Sequence, residues 1–187
     1  MGDNSCICFP PGSVFGEAGI EIGSQTLIGP YVSMSAGMPG DAPRGRNERP
    51  IVVIGDRCSI GRGTSIVGLR DIAIGDDVAI GPNVYITDHN HSYGDVTTPI
   101  AGQWPTDEPV RIGAGSWLGT GVIVLPGSNI GCHVAVAAGS VVLGPVPDRC
   151  VIAGAPARVV RRYSPEQGWD PPLRSATERS ATVRRPQ

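Results

Sequence analysis

Lysine is absent from this 187-residue chain, in which all 15 basic residues are arginine. Lysine chemistry is thereby excluded, and the guanidinium is the only side-chain cation left to meet a phosphate. Aromatic residues are scarce as well, at 5%, too little bulk for an ordinary layered core. The formal net charge is only -2, so nothing polybasic points to nucleic acid or to a membrane surface. No apolar run approaches the roughly 20 residues of a membrane-spanning helix, and no basic-then-apolar leader opens the sequence, so a cytoplasmic protein without a membrane span is expected. The five cysteines, Cys6, Cys8, Cys58, Cys132 and Cys150, are odd in number and contain no CxxC pair. That argues against a disulfide framework or a zinc ribbon and for small packing residues.

Glycine is what the chain has in abundance, with 27 residues, and many recur at a fixed interval. Six-residue units opening with an aliphatic residue and then Gly begin at Ile22, Ile28, Ile54, Ile60, Ile74, Ile80, Ile112, Leu118 and Ile130. Every third unit breaks the glycine rule, at Met34-Ser35, Ile66-Val67, Ile86-Thr87, Val124-Leu125 and Val142-Leu143, so the true period is 18 residues. Three six-residue walls make one turn of a triangular coil, and an all-β parallel β-helix is expected. The opening aliphatics point into the prism and stack on those above and below, each burial contributing about 1.5–3 kcal/mol. Fourth positions such as Gly63, Asp77, Asn83, Gly115, Gly121 and Gly139 are residue types that tolerate the positive φ a corner needs.

Spacing between coil starts locates insertions: Ile22 to Ile54, Ile54 to Ile74 and Ile74 to Ile112 exceed one coil by fourteen, two and twenty residues. Two external loops are expected, at 38–51 and 92–111, the first rich in Pro, Gly and Arg. The β-helix domain is read as 1–163. Residues 164–187 form a C-terminal extension, and Ser175 to Gln187 has the composition of a disordered tail.

Outward positions on the coils are bland, so Thr87-Asp88-His89-Asn90-His91, just before the second loop, stands apart. A neutral imidazole can take a proton from a hydroxyl near pH 7 without a large pKa shift. This segment, with Gly115-Ser116-Trp117-Leu118-Gly119, Ala138-Gly139-Ser140-Val141-Val142 and Ala153-Gly154-Ala155-Pro156-Ala157-Arg158-Val159-Val160, resembles the hexapeptide-repeat acyltransferases, especially the galactoside, maltose, capsule and lipopolysaccharide O-acetyltransferases. The resemblance covers residues 52 to 163. It implies a left-handed prism and transfer of an acyl group from acetyl-CoA or another acyl-CoA to a hydroxyl of a sugar, glycoside or polysaccharide precursor, with no metal.

By the same resemblance His89 is the general base that deprotonates the acceptor. Gly119, Thr120 and Ala138 line the coenzyme A groove with backbone groups, Trp117 lies beside the thioester, and Arg158 meets the nucleotide phosphates with help from Arg161 and Arg162. Asp88, Asn90 and His91 are candidate acceptor contacts. Asp88 could also orient an imidazole, although neighbours on an extended strand point opposite ways. Leu143-Gly144 departs from the family, whose members carry polar residues there, and the N-terminal region does not match the acceptor-binding segment of the sugar acetyltransferases.

Thr120 is the ninth residue of its coil and His89 the sixteenth of its own, which separates them by roughly 140° around the prism. A site using both needs two subunits, and a homotrimer with intersubunit sites is expected. Three other readings stay open: N-acetyl transfer to an amino or nucleotide sugar, a γ-carbonic-anhydrase-like zinc enzyme using His89, His91 and His133, and a silent scaffold. The histidine spacing disfavours the second, and His89, Trp117 and Arg158 together disfavour the third.

Overall fold

The computed structural model describes residues 1–38 and 49–172, where 23 short strands and two single 3-10 turns make up the regular structure. The strands build a left-handed parallel β-helix whose three walls are parallel sheets. On the first wall, face one, Ile22, Ile54, Ile74, Ile112 and Ile130 lie in register. Face two stacks Ile28, Ile60, Ile80, Leu118, Val136 and Ile152. Face three stacks Met34, Ile66, Ile86, Val124 and Val142, the units that break the glycine rule. All of these side chains belong to one continuous buried cluster.

Small residues two positions before the aliphatics complete the core, and several carry hydroxyls. Buried Thr26 donates to the Gly55 carbonyl at 2.8 Å and accepts the Cys58 amide at 3.0 Å. Ser116 repeats the pattern, donating to the Gly131 carbonyl at 3.0 Å and accepting the Val134 amide at 3.1 Å. Each hydroxyl thus bridges adjacent coils and satisfies itself, where an unpartnered one would cost about 1–3 kcal/mol. Cys58 and Cys150 fill equivalent sites. Their thiols lie 3.1 Å from the Gly75 and Pro147 carbonyls, and burial pushes both above the ordinary thiol range. Cys6 and Cys132 are exposed instead.

The corners have the conformation expected of them. Gly63, Asp77, Asn83, Gly115, Gly121 and Gly139 all have φ between 56° and 69°. Second-position glycines serve a different need, close approach of backbones: a Cβ on Gly61 would sit 2.5 Å from the carbonyl carbon of Gly81 in the next coil.

Two boundaries differ from the sequence reading. The second excursion leaves the prism at Asp88 and returns at Val110, and its ends pair as an antiparallel ribbon, His89–Asn90 with Thr106–Asp107. Regular structure continues past residue 163, to Asp170. Strands Cys150–Gly154, Ala157–Ser164 and Gly168–Asp170 fold antiparallel and finish face two, with Tyr163 and Trp169 edge-to-face at 5.5 Å. Antiparallel strands stack no coil on coil, so they carry no six-residue period to read. Residues 39–48 of the first loop and the tail from Ser175 to Gln187 lie outside the described residues.

Replacing Gly61 by Ala should lower the unfolding free energy by about 1–3 kcal/mol through overpacking between coils. Gly121→Asn, at a corner where nothing lies within 4 Å of an added Cβ and the preceding coil already has Asn83, should change it by less than about 0.5 kcal/mol. Urea denaturation of the two variants checks the contrast.

Candidate functional site

The three insertions share one edge. Face three ends and face one begins at the corner where the chain leaves after Ala36 and returns at Val52 in one coil, where Leu69 to Asp71 stand in the next, and Asp88 to Pro109 in the third. Side chains tie them together. The Asp71 carboxylate takes Arg111 from face one and lies 3.7 Å from Arg49, while Arg70 reaches Asp107 of the ribbon at 3.5 Å. The Glu108 amide donates to the Asp88 carbonyl at 2.8 Å, closing the loop at its base. Farther out, Ser92 donates to the Trp104 carbonyl at 2.6 Å and Gln103 to the carbonyls of Asp95 and Thr98. Hydrogen bonds from Thr97 and then Thr98 hold the Asp95 carboxyl down at about 2. A braced loop thus stands over the corner with Tyr93, Val96 and Trp104 exposed.

His89 sits at the foot of this loop, half-buried. Directly behind it the Asp88 carboxylate is fully buried and accepts four hydrogen bonds. Oδ1 takes the Leu69 amide at 2.8 Å and His89 Nδ1 at 3.0 Å, and Oδ2 takes the amides of Arg70 and Asp71, both at 2.7 Å. A carboxylate filled with donors accepts and does not donate, so Nδ1 carries a proton, and in the neutral imidazole the lone pair is on Nε2. Thr87 Oγ1, buried below, lies 3.2 Å from the same Nδ1 and receives the His89 amide at 3.4 Å. Strand alternation placed Asp88 and His89 on opposite sides. Asp88 instead occupies a bend between strands Tyr85–Thr87 and His89–Asn90, where alternation lapses.

The residues matched to a coenzyme groove lie elsewhere, along face two and its corner with face three. Trp117 stands proud of its sheet because its neighbours above and below are Ala79 and Ala135. Thr120 and Ala138 stack one coil apart, with the Gly139 amide on the Thr120 carbonyl at 2.9 Å and the Gly119 amide on the Val136 carbonyl at 2.8 Å. Among the described residues neither the Thr120 nor the Ala138 amide has an acceptor within the chain. The corner between faces one and two is different: aspartates of the following coil cap the amides of Ser24, Asp56 and Cys132 at 2.7, 2.9 and 2.8 Å. Aspartate thus caps three amides of one corner, and the other offers the Thr120 and Ala138 amides as adjacent free donors about 4.8 Å apart.

Arg158 continues along the same sheet. Ala157 and Val159 pack against the core, so Arg158 between them faces out, with its guanidinium on the Ala157 carbonyl at 2.9 Å. Asn90 and His91 are exposed beside His89, and His133 occupies a corner between faces one and two at φ 54°. The fold therefore joins Asp88 to His89, and Thr120 to Ala138, but holds these two groups on different edges of one prism. Sequence reasoning missed the Leu69 to Asp71 amides and the Arg70–Asp107 link, although the two-residue excess between Ile54 and Ile74 marked the place.

Asp88→Asn turns an acceptor into a donor facing backbone amides. We expect it to lower the unfolding free energy by about 2–3 kcal/mol. A urea midpoint equal to that of the unaltered protein would show that those amides do not depend on the charge.

No protein-family model matches the chain. It is 34% identical over 177 residues, 92% of its length, to the probable acetyltransferase Rv3034c of Mycobacterium tuberculosis. It is 37% identical over 125 residues, 63% of its length, to WbbJ of Escherichia coli, whose name describes a lipopolysaccharide biosynthesis O-acetyl transferase. The alignments span 57% and 64% of those two relatives. Among solved structures, the hexapeptide-repeat acetyltransferase VCA0836 of Vibrio cholerae superposes with a TM-score of 0.56 at 28% identity, covering 87% of this chain and 72% of that one. AntD, an N-acyltransferase of Bacillus cereus solved with dTDP and 3-hydroxybutyryl-CoA, gives 0.72 at 21% identity over 89% and 84%, a likeness of fold. By repeat, fold and sequence, the chain resembles the hexapeptide-repeat acyltransferases.

Proposed function

We propose that this protein is an acyl-CoA-dependent O-acyltransferase, and specifically an O-acetyltransferase, acting in the cytoplasm on a hydroxyl of a sugar, glycoside or polysaccharide precursor. The observation that carries the reading is the His89 imidazole, fixed by Asp88 at Nδ1 with Nε2 free. In the reaction Nε2 takes the proton of the acceptor hydroxyl as its oxygen attacks the thioester carbonyl. The tetrahedral intermediate collapses, the C–S bond breaks, and the departing thiolate recovers the proton from Nε2. Asp88 stabilises the imidazolium and holds the tautomer, which makes it a positioning residue behind the base and leaves Asn90 and His91 as the acceptor-side polar groups.

The donor lies along face two. Free amides of Thr120 and Ala138 meet the amide carbonyls of the pantetheine arm, Gly119 packs its coil closely against the backbone of Ala138, Trp117 covers the arm's thioester end, and Arg158 pairs with phosphate. The neighbour AntD is named for an N-acyltransferase, but at 21% identity it speaks for the fold. Hydroxyl acceptors are favoured by WbbJ at 37% and by the galactoside O-acetyltransferase of Lactococcus lactis at 38% over 100 residues, 54% of this chain and 47% of that one.

One prism cannot present His89 and Thr120 to a single thioester, because they stand on different corners. A neighbouring prism supplies the missing group, and three prisms about a three-fold axis give three equivalent sites. Face three joins the two corners and so turns toward that axis, and its outward Tyr85, Ile123 and Leu143 are exposed in the single chain.

Purified protein is assayed for thiol release from acetyl-CoA against sugars, glycosides, nucleotide sugars and small alcohols. His89→Ala should cut turnover by roughly 100-fold or more while acyl-CoA binding is retained; an unchanged rate sinks the mechanism. Mixed trimers reassembled from His89→Ala and Thr120→Trp subunits should regain activity, since some interfaces then pair an intact base with an intact groove. No recovery in verified mixed trimers overturns the shared site.

A further inference from the structure

Where the corner between faces three and one is unbroken, a single residue turns it. Gly127, at φ 74°, does so between Val124 and Ile130, and its amide goes to the Glu108 carbonyl at 3.3 Å. Between Ile66 and Ile74 the same corner is longer by two residues, and Leu69, Arg70 and Asp71 stand where one would serve. All three amides of this enlarged corner converge on Asp88 in the next coil, at 2.8, 2.7 and 2.7 Å.

We propose that the two-residue insertion at Leu69 to Asp71 is a positioning element of the active site, which builds the His89 base from one coil away by holding the Asp88 carboxylate. The inference rests on His89 being the general base. A fully buried carboxylate is stable only when donors replace its lost water. His89 supplies one, and a regular corner would supply at most one more. The enlarged corner supplies three, and they also set the rotation of the group. Oδ2 is chelated by the amides of Arg70 and Asp71, which leaves Oδ1 between the Leu69 amide and His89 Nδ1.

The side chains of the insertion are turned elsewhere and lock it in place. Arg70 is drawn to Asp107 on the ribbon strand that pairs with His89, and Asp71 is held by Arg111 and Arg49. The corner is thus clamped to the element above it, to face one and to the ribbon, while its backbone faces the acid. None of its side chains has to reach the substrate, so it acts only through Asp88.

The test replaces Leu69, Arg70 and Asp71 by a single glycine, giving the 18-residue coil that Gly127 turns elsewhere. Folding is followed by circular dichroism and the His89 tautomer by 15N NMR of histidine-labelled protein, a readout that needs no activity. The unaltered protein should show the Nδ1–H form. The replacement should lose that preference and lower kcat by roughly tenfold or more with a shifted pH–rate profile. Adding Asp88→Ala should lower kcat little further, because both changes remove one device. A folded replacement that keeps the tautomer and the turnover overturns the proposal. Should the replacement not fold, Arg70→Pro removes one amide from Oδ2, and Arg70→Gly removes the same guanidinium but keeps the amide. The proline variant alone should disturb the tautomer, and identical spectra for the two overturn the inference. Activity that survives His89→Ala would instead defeat the general-base reading, a separate outcome from either of these.

Discussion

Each inward aliphatic side chain of the prism lands on its counterpart one coil away, Ile54 on Ile74, Ile60 on Ile80, Ile66 on Ile86. Slipping this register by one residue would carry a whole wall's apolar set to the outside. The walls therefore tolerate no insertion, and extra chain can leave only at a corner. That restriction explains why the variation collects where it does. Two sizeable excursions and one small bulge all emerge at the corner between faces three and one, in three successive coils, and the bulge and the second excursion meet around Asp88 and His89. A scaffold that forbids variation along its walls concentrates it at an edge.

The corners also differ in how they dispose of backbone polarity. An extended wall gives its amides to the neighbouring coil, but the third residue of a unit turns away and its N–H must find another partner. Aspartate supplies one at the corner between faces one and two. Pro82 has no N–H to satisfy, and the following Thr120 and Ala138 leave theirs exposed. The same geometric defect is repaired by aspartate at Ser24, Asp56 and Cys132 on one edge and kept at Thr120 and Ala138 on the other. At the third corner the defect is turned inward, and the amides of Leu69, Arg70 and Asp71 find a buried carboxylate.

Much of this was legible in the residues. The stacking partners, the break in the glycine rule on face three and the left-handed corner residues follow from a period that can be counted. His89 stood out as a candidate because the surrounding outward positions are bland, and the stacking of Thr120 on Ala138 was legible because they stand 18 residues apart. What escaped was everything that depends on departure from the period. Asp88 looked misdirected because strand alternation was applied to a bend. The bulge at Leu69 to Asp71 was counted but not placed, since a spacing excess does not say where amides aim. The strands at Ala157–Ser164 and Gly168–Asp170 were invisible because they run antiparallel and repeat nothing.

Those last strands carry a consequence for how the molecule can vary. A parallel coil can always accept another coil on its open edge, and at the N-terminal end the strands Cys6–Ile7 and Val14–Phe15 still have free edges with Ile7 and Phe15 exposed. At the other end the reversal at Gly154 to Ala157 puts a strand of the wrong direction in the way, and the helical path is extinguished. Growth or loss of coils is thereby polar, confined to the side of the prism that precedes His89. Trp117 and the strand that carries Arg158 lie on face two at this closed end of the stack.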